Sequence, residues 1–214
     1  MNTTLSLYTP LAPDASCDIV FERSFAKEHV TVALRPLSLP GDWPCIGKWL
    51  CREFSHHHSP ATHLPEKHLR ETFRTMLQCD FAQPFVGLIN DQPGFLIEIC
   101  DGDKQCAGLE EGPHVFDNGD HAIRLMLSPT VINTRHWSAC ALLSSLDYFF
   151  SYERVKRIVW ELHEKEKHHI TLAGQLQFES ETAKEWPGIH VFLYSREILP
   201  RFSASNRQQI QKLP

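Results

Sequence analysis

Two charged residues stand inside otherwise apolar runs of the sequence, Glu98 in FLIEIC and Arg124 in HAIRLML. A charge in an apolar strand costs free energy unless it is paired or faces a polar cleft. For Glu98, a contact to a substrate ammonium group and a position on an exposed strand face are equally open. For Arg124, the two alternatives are a position that faces a polar cleft and an ion pair. Both residues therefore mark candidate substrate contacts.

The histidines and cysteines show no metal-binding spacing. The runs His56–His58 and His163 to His169 contain no H-E-x-x-H pattern, and consecutive residues do not share one helix face. The seven cysteines include no C-x-x-C pair. We therefore expect solvated histidines, free cysteines and no metal ion.

Composition narrows the class of protein. The chain has 214 residues, 42% of them hydrophobic, which is typical of one globular domain. Its formal net charge of −5 offers no basic face for nucleic acid. The N-terminus has neither the basic start nor the apolar run of a secretory signal, and no stretch reaches the length of a membrane span. A cytoplasmic location is predicted, while the oligomeric state stays open.

The elements that must position Glu98 and Arg124 follow from hydrophobic periodicity. Residues 1–30 are interpreted as an N-terminal extension with two candidate edge strands, LSLY and DIVFERSF. A strand at 30–34 leads into a helix over 43–54, with Asp42 as its predicted N-cap. The loop SHHHSPATHLP then leads into a second helix that starts near Pro65.

The second half alternates strands and helices. FVGLI and FLIEIC predict a hairpin, and a long polar loop over 101–120 separates them from a strand over 121–129. A helix whose apolar face includes Leu142 and Phe149 follows. A strand over 154–162, a helix over 163–176 and a hairpin that turns at Pro187 complete the order. The predicted fold class is mixed α/β (α+β), with a central, mostly antiparallel twisted sheet flanked by helices.

Five motifs stand in this order along the chain: ALRPLSLPGDWPCIGKWL, GFLIEIC, PHVFDNGDHAIRLMLSPT, VWELHEKEKHHITLAGQLQF and WPG with FLYSRE. Together with the order of elements they resemble the GNAT acyltransferase superfamily, and in detail its siderophore-biosynthesis lysine N-acyltransferases of the aerobactin and mycobactin type. The resemblance covers about residues 30–200, and residues 31–214 are interpreted as one GNAT-like domain.

The resemblance implies acetyl-CoA or another acyl-CoA as co-substrate. A helix N-terminus is a natural cradle for its pyrophosphate, and backbone N–H groups released where a strand splays would polarise the acyl carbonyl. Family members have glycines at the positions of Thr134 and His136. The residues implied in binding the coenzyme are Leu125, Met126, Leu127, Asn133, Thr134, Arg135, His136 and Trp137.

The resemblance leaves the proton acceptor open. Arg124 stands where the family has a strand histidine, and arginine stays protonated. Glu161 or His163 at the end of the next strand, or the neighbouring Asp120 or His121, are alternatives. Asp120 is also a candidate substrate contact, with Glu98. A hydroxylamine substrate, which is already neutral, would need little base.

The implied function is an acyl-CoA-dependent N-acyltransferase that acts on a lysine-like amine or hydroxylamine, with a role in siderophore biosynthesis. The alternatives are a catalytically impaired relative that binds acyl-CoA or a protein, and a GNAT enzyme for an antibiotic or polyamine. A third is a binding module of unrelated function. The predicted partner is a small-molecule amine, with neither nucleic acid nor membrane.

Overall fold

The computed structural model describes residues 7–12, 18–57, 66–102, 104, 114–134, 136–182 and 186–198, with the backbone alone for 51–57 and 182. These residues form eight strands and five helices. The strands are β1 (Phe21–Phe25), β2 (Val30–Pro36), β3 (Ala82–Ile89), β4 (Gln92–Asp101), β5 (Asp120–Leu127), β6 (Arg157–His163), β7 (Glu179–Thr182) and β8 (Ile189–Ser195). The helices are α1 (Leu39–His57), α2 (Glu66–Gln78), α3 (Pro129–Asn133), α4 (Trp137–Phe150) and α5 (Lys167–Gln175).

All eight strands form one sheet in the order β1-β2-β3-β4-β5-β6-β8-β7. Neighbours pair antiparallel except β5 and β6, which run parallel. The mixed, mostly antiparallel sheet predicted from the sequence is confirmed. Within the residues that the structure describes, no helix is long and apolar enough to cross a membrane.

Helices cover both faces of the sheet. On the front face, α1 and α2 pack residues such as Ile46 and Phe73 against Leu96 and Met126. On the back face, α4 is buried along most of its length and packs with the alternate strand residues, such as Leu125. Because side chains alternate between the faces of a strand, Glu98 and Arg124 lie with Leu96 and Met126 on the front.

Several predicted boundaries were wrong. Helix α1 starts at Leu39, so Asp42 lies inside it. The carboxylate of Asp42 instead accepts the N–H of Ser38 at 2.9 Å and binds the guanidinium of Arg35 at 2.7 and 2.5 Å. Helix α5 begins only at Lys167, because His163 still belongs to β6.

The connections also differ from their predicted form. The β3–β4 turn contains only Asn90 and Asp91, both with a positive φ, of 48° and 65°. The predicted loop at 55–65 begins within α1, and residues 58–65 lie outside the described residues. Phe21–Phe25 forms the edge strand β1, whereas Leu7 and Tyr8 form no strand and the rest of LSLY lies outside the described residues.

Candidate active site

Strand β5 separates from β6 after only three paired residues. The parallel register runs from Asp120↔Arg157 to Ala122↔Val159 and stops there. On its other edge β5 stays paired with β4 as far as Leu127. The two strands therefore diverge between residues 123–127 of β5 and 160–163 of β6, and we call this opening the splay.

Backbone direction determines which groups face the splay. Gly102 donates its N–H to the carbonyl of Asp120, and Ser128 donates to the carbonyl of Gly94, so even-numbered residues of β5 point toward β4. Since hydrogen-bonding direction alternates along a strand, Leu125 and Leu127 direct their N–H groups into the splay. Met126 points the other way, toward Leu96 on β4.

A short helix and a left-handed residue connect β5 to α4. Ser128 caps α3 by accepting the N–H of Val131 at 3.3 Å. Helix α3 lies so close to β4 that a Cβ on Gly94 would stand 3.1 Å from a methyl carbon of Val131. His136 then enters α4 with φ 68° and makes no side-chain capping bond to the helix.

The N-terminus of α4 has the chemistry of an anion cradle. Its first N–H groups have no partner within the helix, and the helix dipole adds positive potential there. His136 keeps the left-handed backbone that favours glycine. Its Cβ, like that of Thr134, narrows the approach to the backbone. Asn133 closes α3 and Trp137 opens α4, whereas Arg135 lies outside the described residues.

Glu98 and Arg124 face each other across the β4–β5 ladder. Glu98 Oε2 lies 3.8 Å from Arg124 Nη1, and the two side chains are 8% and 53% exposed. Burial raises the pKa of the Glu98 carboxyl, and the charge of Arg124 offsets this in part. Such a carboxylate favours a neighbouring cation.

Glu161 lies on the opposite side of the splay. The last pair between the two strands is Ala122 and Val159. Glu161 is the next residue of β6 whose side chain is on the front face, and Arg124 is the next such residue of β5. Burial raises the pKa of the Glu161 carboxyl, whereas the backbone N–H and the charge of His114 lower it in part. Its Oε1 atom is buried and has no hydrogen-bond partner among the described residues. Glu161 thus combines a raised pKa with an available oxygen.

The remaining candidates are engaged elsewhere. His163 accepts the N–H of Lys165 at Nδ1, at 3.1 Å. His121 is 2% exposed, stacks on Tyr8 on the back of the sheet, and burial lowers its pKa. The carboxylate of Asp120 binds Arg157 at 2.8 and 2.5 Å. The structure brings Arg124 and Glu161 to the splay, and it leaves Asp120 and His121 at the closed end.

Sequence reasoning did not single out His114. Its ring lies between Glu181 and Asp120, 3.2 and 3.4 Å away, and its side chain is 6% exposed. The one available signal was the long polar loop over 101–120, a length that is often functional. Within the described residues no group of three or more His, Cys, Asp or Glu side chains is arranged to hold a metal ion.

Comparison with known proteins assigns the family. The model of the acetyltransferase (GNAT) domain matches residues 38–185, more than half of the chain. The chain therefore belongs to the GNAT acetyltransferase family. No curated protein matches the sequence.

Solved structures share the fold at low identity. An uncharacterized protein from Bacillus halodurans has a TM-score of 0.71 and 17% identity, over 90% of this chain and 97% of that one. The aminoglycoside acetyltransferase AAC(6')-Ib in complex with coenzyme A has a TM-score of 0.63 and 15% identity, over 80% and 99%. RimJ from Mycobacterium smegmatis with CoA-disulfide has a TM-score of 0.59 and 15% identity, over 83% and 90%.

Proposed function

We propose that this chain is an acyl-CoA-dependent N-acyltransferase that acts on a small-molecule amine. The observation that carries the proposal is the early end of the β5–β6 ladder at Ala122 and Val159. It leaves the N–H groups of Leu125 and Leu127 unpaired toward β6 beside the N-terminus of α4. Membership of the GNAT family and the coenzyme A complexes of the structural neighbours support the same function.

The acyl donor is assigned to the splay. The pyrophosphate of the coenzyme would lie beside residues 133–137 at the N-terminus of α4. The N–H groups of Thr134 and Trp137 already bind the carbonyls of Val131 and Thr134, so the positive end of the helix dipole and the charge of Arg135 would hold it. The thioester carbonyl would accept hydrogen bonds from Leu125 and Leu127, which stabilise the oxyanion that forms during transfer. These assignments need no metal ion.

The amine is assigned to the front of the sheet. Glu98 would hold a substrate ammonium group and Arg124 would contact substrate, since both lie on this face beside the splay. The amine nitrogen attacks the thioester carbon, the carbon–sulfur bond breaks, and the coenzyme leaves as its thiolate. The attacking nitrogen reacts in its neutral form. Glu161 accepts the proton that this nitrogen loses as the amide forms and returns it through solvent to the thiolate, so the products are the amide and coenzyme A with a free thiol.

The finer proposal concerns the acceptor. A lysine-like amine or its hydroxylamine derivative, as in siderophore assembly, is supported by the sequence motifs and by the carboxylates of Glu98 and Glu161 on the front face. A hydroxylamine is neutral at pH 7 and would depend less on Glu161. Amine and hydroxylamine are therefore distinguished by the size of the effect of Glu161→Gln.

A catalytically impaired relative is the second candidate, and a specific observation favours it. Thr134 and His136 carry side chains at the two positions where the family has glycine, which narrows the cradle. Such a protein would bind acyl-CoA or a partner without turnover. The spermidine and aminoglycoside acetyltransferases among the structural neighbours share the fold with this chain.

Calorimetric titration with acetyl-CoA and decanoyl-CoA tests the proposal. We expect saturable binding that Arg135→Ala weakens about tenfold to a hundredfold, the loss of one charge-assisted contact. Arg74→Ala on the outer surface of α2 is the matched control, because its side chain is 44% exposed and pairs only with Glu71 within the described residues.

The outcomes separate the two candidates. Binding followed by thiol release with lysine, N-hydroxylysine or a diamine supports the enzyme. Binding without thiol release from any amine supports the impaired relative. If neither thioester binds, acyl transfer is the wrong function for this fold.

A further inference from the structure

The segment from His114 to Gly119 lies over the front of β6, β8 and β7, where the described residues include no helix. Phe116 packs there against Val159, Val191 and Leu193. A Cβ on Gly102 would stand 2.3 Å from the ring of Phe116, so this close approach requires glycine. The segment is therefore fitted to the strands beside the splay.

The ring of His114 is fixed at both nitrogens. Nδ1 lies 3.2 Å from Glu181 Oε2 and Nε2 lies 3.4 Å from Asp120 Oδ2. The ring also meets Phe116 edge to face, with centroids 5.1 Å apart. Both ring nitrogens therefore lie against carboxylate oxygens, and these two contacts together with the aromatic contact restrict the orientation of the imidazole.

The Asp120 side of this arrangement is itself held. Asp120 accepts the N–H of Asp117 at 2.9 Å and two hydrogen bonds from Arg157. Arg157 also binds the carboxylate of Asp117 at 3.0 Å. Asp120 and Arg157 are the first pair of the parallel ladder, so His114 is tied to the closed end of the splay.

The backbone of His114 contacts a third carboxylate, that of Glu161, through a hydrogen bond from its N–H. Val191 pairs with Glu161 on one side and with Glu181 on the other, so the three residues form a row across β6, β8 and β7. His114 spans this row, with its ring at Glu181 and its backbone at Glu161.

We propose that His114 is a positioning residue, which holds one carboxylate oxygen of Glu161 and leaves the other available to receive the substrate proton. The inference rests on the proposed acyl transfer. It assigns Asp120 and Arg157 the task of anchoring His114, in place of the substrate contact expected for Asp120 from the sequence.

The segment also shields Glu161 from water. Burial raises the pKa of Glu161, and the hydrogen bond from His114 opposes this more weakly. Loss of the His114 ring would free the segment and admit water beside Glu181, Asp120 and Arg157. Alanine keeps the backbone N–H but removes the charge of His114, which lowers this pKa. Since burial is the largest influence on the pKa of Glu161, we expect the gain in solvation to outweigh both the loosened hydrogen bond and the lost charge, so that the pKa falls.

The test uses three variants of the full chain, His114→Ala, His114→Gln and His190→Ala. The glutamine side chain can donate a hydrogen bond to one of the two carboxylates, Glu181 or Asp120, that the imidazole of His114 contacts. His190 is a matched control, because it is an exposed histidine on β8, between the residues that pair with Glu161 and His163. Far-ultraviolet circular dichroism and urea unfolding verify that each variant is folded.

The first readout does not depend on turnover. Carboxyl-carbon NMR titration, with the Glu161 signal assigned by Glu161→Gln, follows its pKa. We expect His114→Ala to move it toward the ordinary value of about 4.3, His114→Gln to restore part of the difference, and His190→Ala to change nothing. An unchanged titration in folded His114→Ala overturns the proposal.

The second readout is acyl transfer over a range of pH. We expect His114→Ala to lower kcat about tenfold to a hundredfold, the size expected for a misplaced proton acceptor, with a smaller change in KM. An unchanged kcat overturns the positioning role even if the titration moves. A wild-type protein without turnover, but with the expected NMR shifts, counts against acyl transfer and not against the contact between His114 and Glu161.

Discussion

The two edges of β5 differ although they belong to one strand. Toward β4, the strand is paired from Asp101↔His121 to Phe95↔Leu127, and its N–H groups on that side are consumed by the ladder. Toward β6, pairing ends at Ala122, and the N–H groups of Leu125 and Leu127 are left for another partner. The candidate site therefore lies where β5 and β6 form no hydrogen bonds with each other.

Glu161 lies on β6, the strand that diverges from β5, and its replacement should lower kcat strongly. If Glu161 is the proton acceptor for an amine, Glu161→Gln should lower kcat by about 10²-fold or more while acyl-CoA binding is kept. Steady-state thiol release and calorimetry measure the two quantities. Glu164→Gln, an exposed neighbour, should leave both unchanged. Equal losses in both variants would contradict the assignment.

An amide-to-ester replacement tests the two edges directly. An ester at Leu125 or Leu127 removes an N–H that faces the splay, and kcat should fall by about 10²- to 10³-fold if that group binds the oxyanion. An ester at Met126 removes a ladder bond to β4 and should mainly lower stability, by about 1 kcal/mol. The idea fails if the ester at Met126 is the one that abolishes turnover.

Asp120 tests the closed end of the splay. Burial opposes ionisation of Asp120, but hydrogen bonds from Arg157 and Asp117 and the charge of Arg157 outweigh it and lower the pKa. The stabilisation is therefore present above the unfolded pKa of about 3.9 and is lost as pH falls through the folded pKa. Asp120→Asn should reduce the free energy of unfolding by about 1–2 kcal/mol at pH 7, with allowance for the partial exposure of Arg157.

Urea unfolding at pH 7 and at acidic pH measures this difference. Wild type and Asp120→Asn should converge as the medium becomes acidic. A constant difference at every pH would mean that the ionised carboxylate is not the source of the stabilisation.

Glu98 should behave with the opposite sign. Burial raises the pKa of Glu98 in the folded state above its value in the unfolded chain. Ionisation of this carboxyl therefore costs more in the folded state, which lowers the stability at neutral and higher pH. Glu98→Gln should raise stability by about 1 kcal/mol at pH 8, weaken binding of a cationic amine, and lose its stability advantage as pH falls. Glu71→Gln on the exposed side of α2 is the control. A loss of stability at pH 8 would contradict this interpretation.

Replacement of His136 should change acyl-CoA affinity only severalfold, less than the other variants change the quantities measured for them. His136→Gly removes a Cβ from a residue with positive φ and widens the approach to α4, so acyl-CoA affinity should rise severalfold. Asp91→Gly relieves a similar backbone at the β3–β4 turn, away from the splay, and should leave the affinity unchanged. Calorimetry measures both, and a weaker affinity in His136→Gly would show that the imidazole itself contributes to binding.

The sequence predicted the fold because its signals are local. Alternating Val30, Val32 and Leu34 predict a strand, and Leu69 with Phe73 predicts a helix at the correct place. Boundaries failed where a side chain competes with the pattern. Asp42 resembles an N-cap, but its salt bridge with Arg35 and its bond to Ser38 place it inside α1.

The site was only partly predictable, because it depends on long-range pairing. Glu98, Arg124 and Glu161 stand out in the sequence as charges within strands. The end of the β5–β6 ladder is not encoded in either strand alone. His114 contacts Glu161 and Glu181, which lie 47 and 67 positions further along the chain, and no periodicity connects residues at such separations.

Because the parallel ladder is short, β5 and β6 are held together only at one end of the splay. From Ala122 to Leu127 the strand extends about 17 Å at roughly 3.3 Å per residue. At that length a rotation of about 5° about the last pair, Ala122 and Val159, moves the mouth by about 1.5 Å. Since β6 remains paired with β8 as far as His163, a displacement of β6 would carry β8 with it. The width of the mouth is therefore sensitive to small changes at the closed end of the splay, far from the mouth itself.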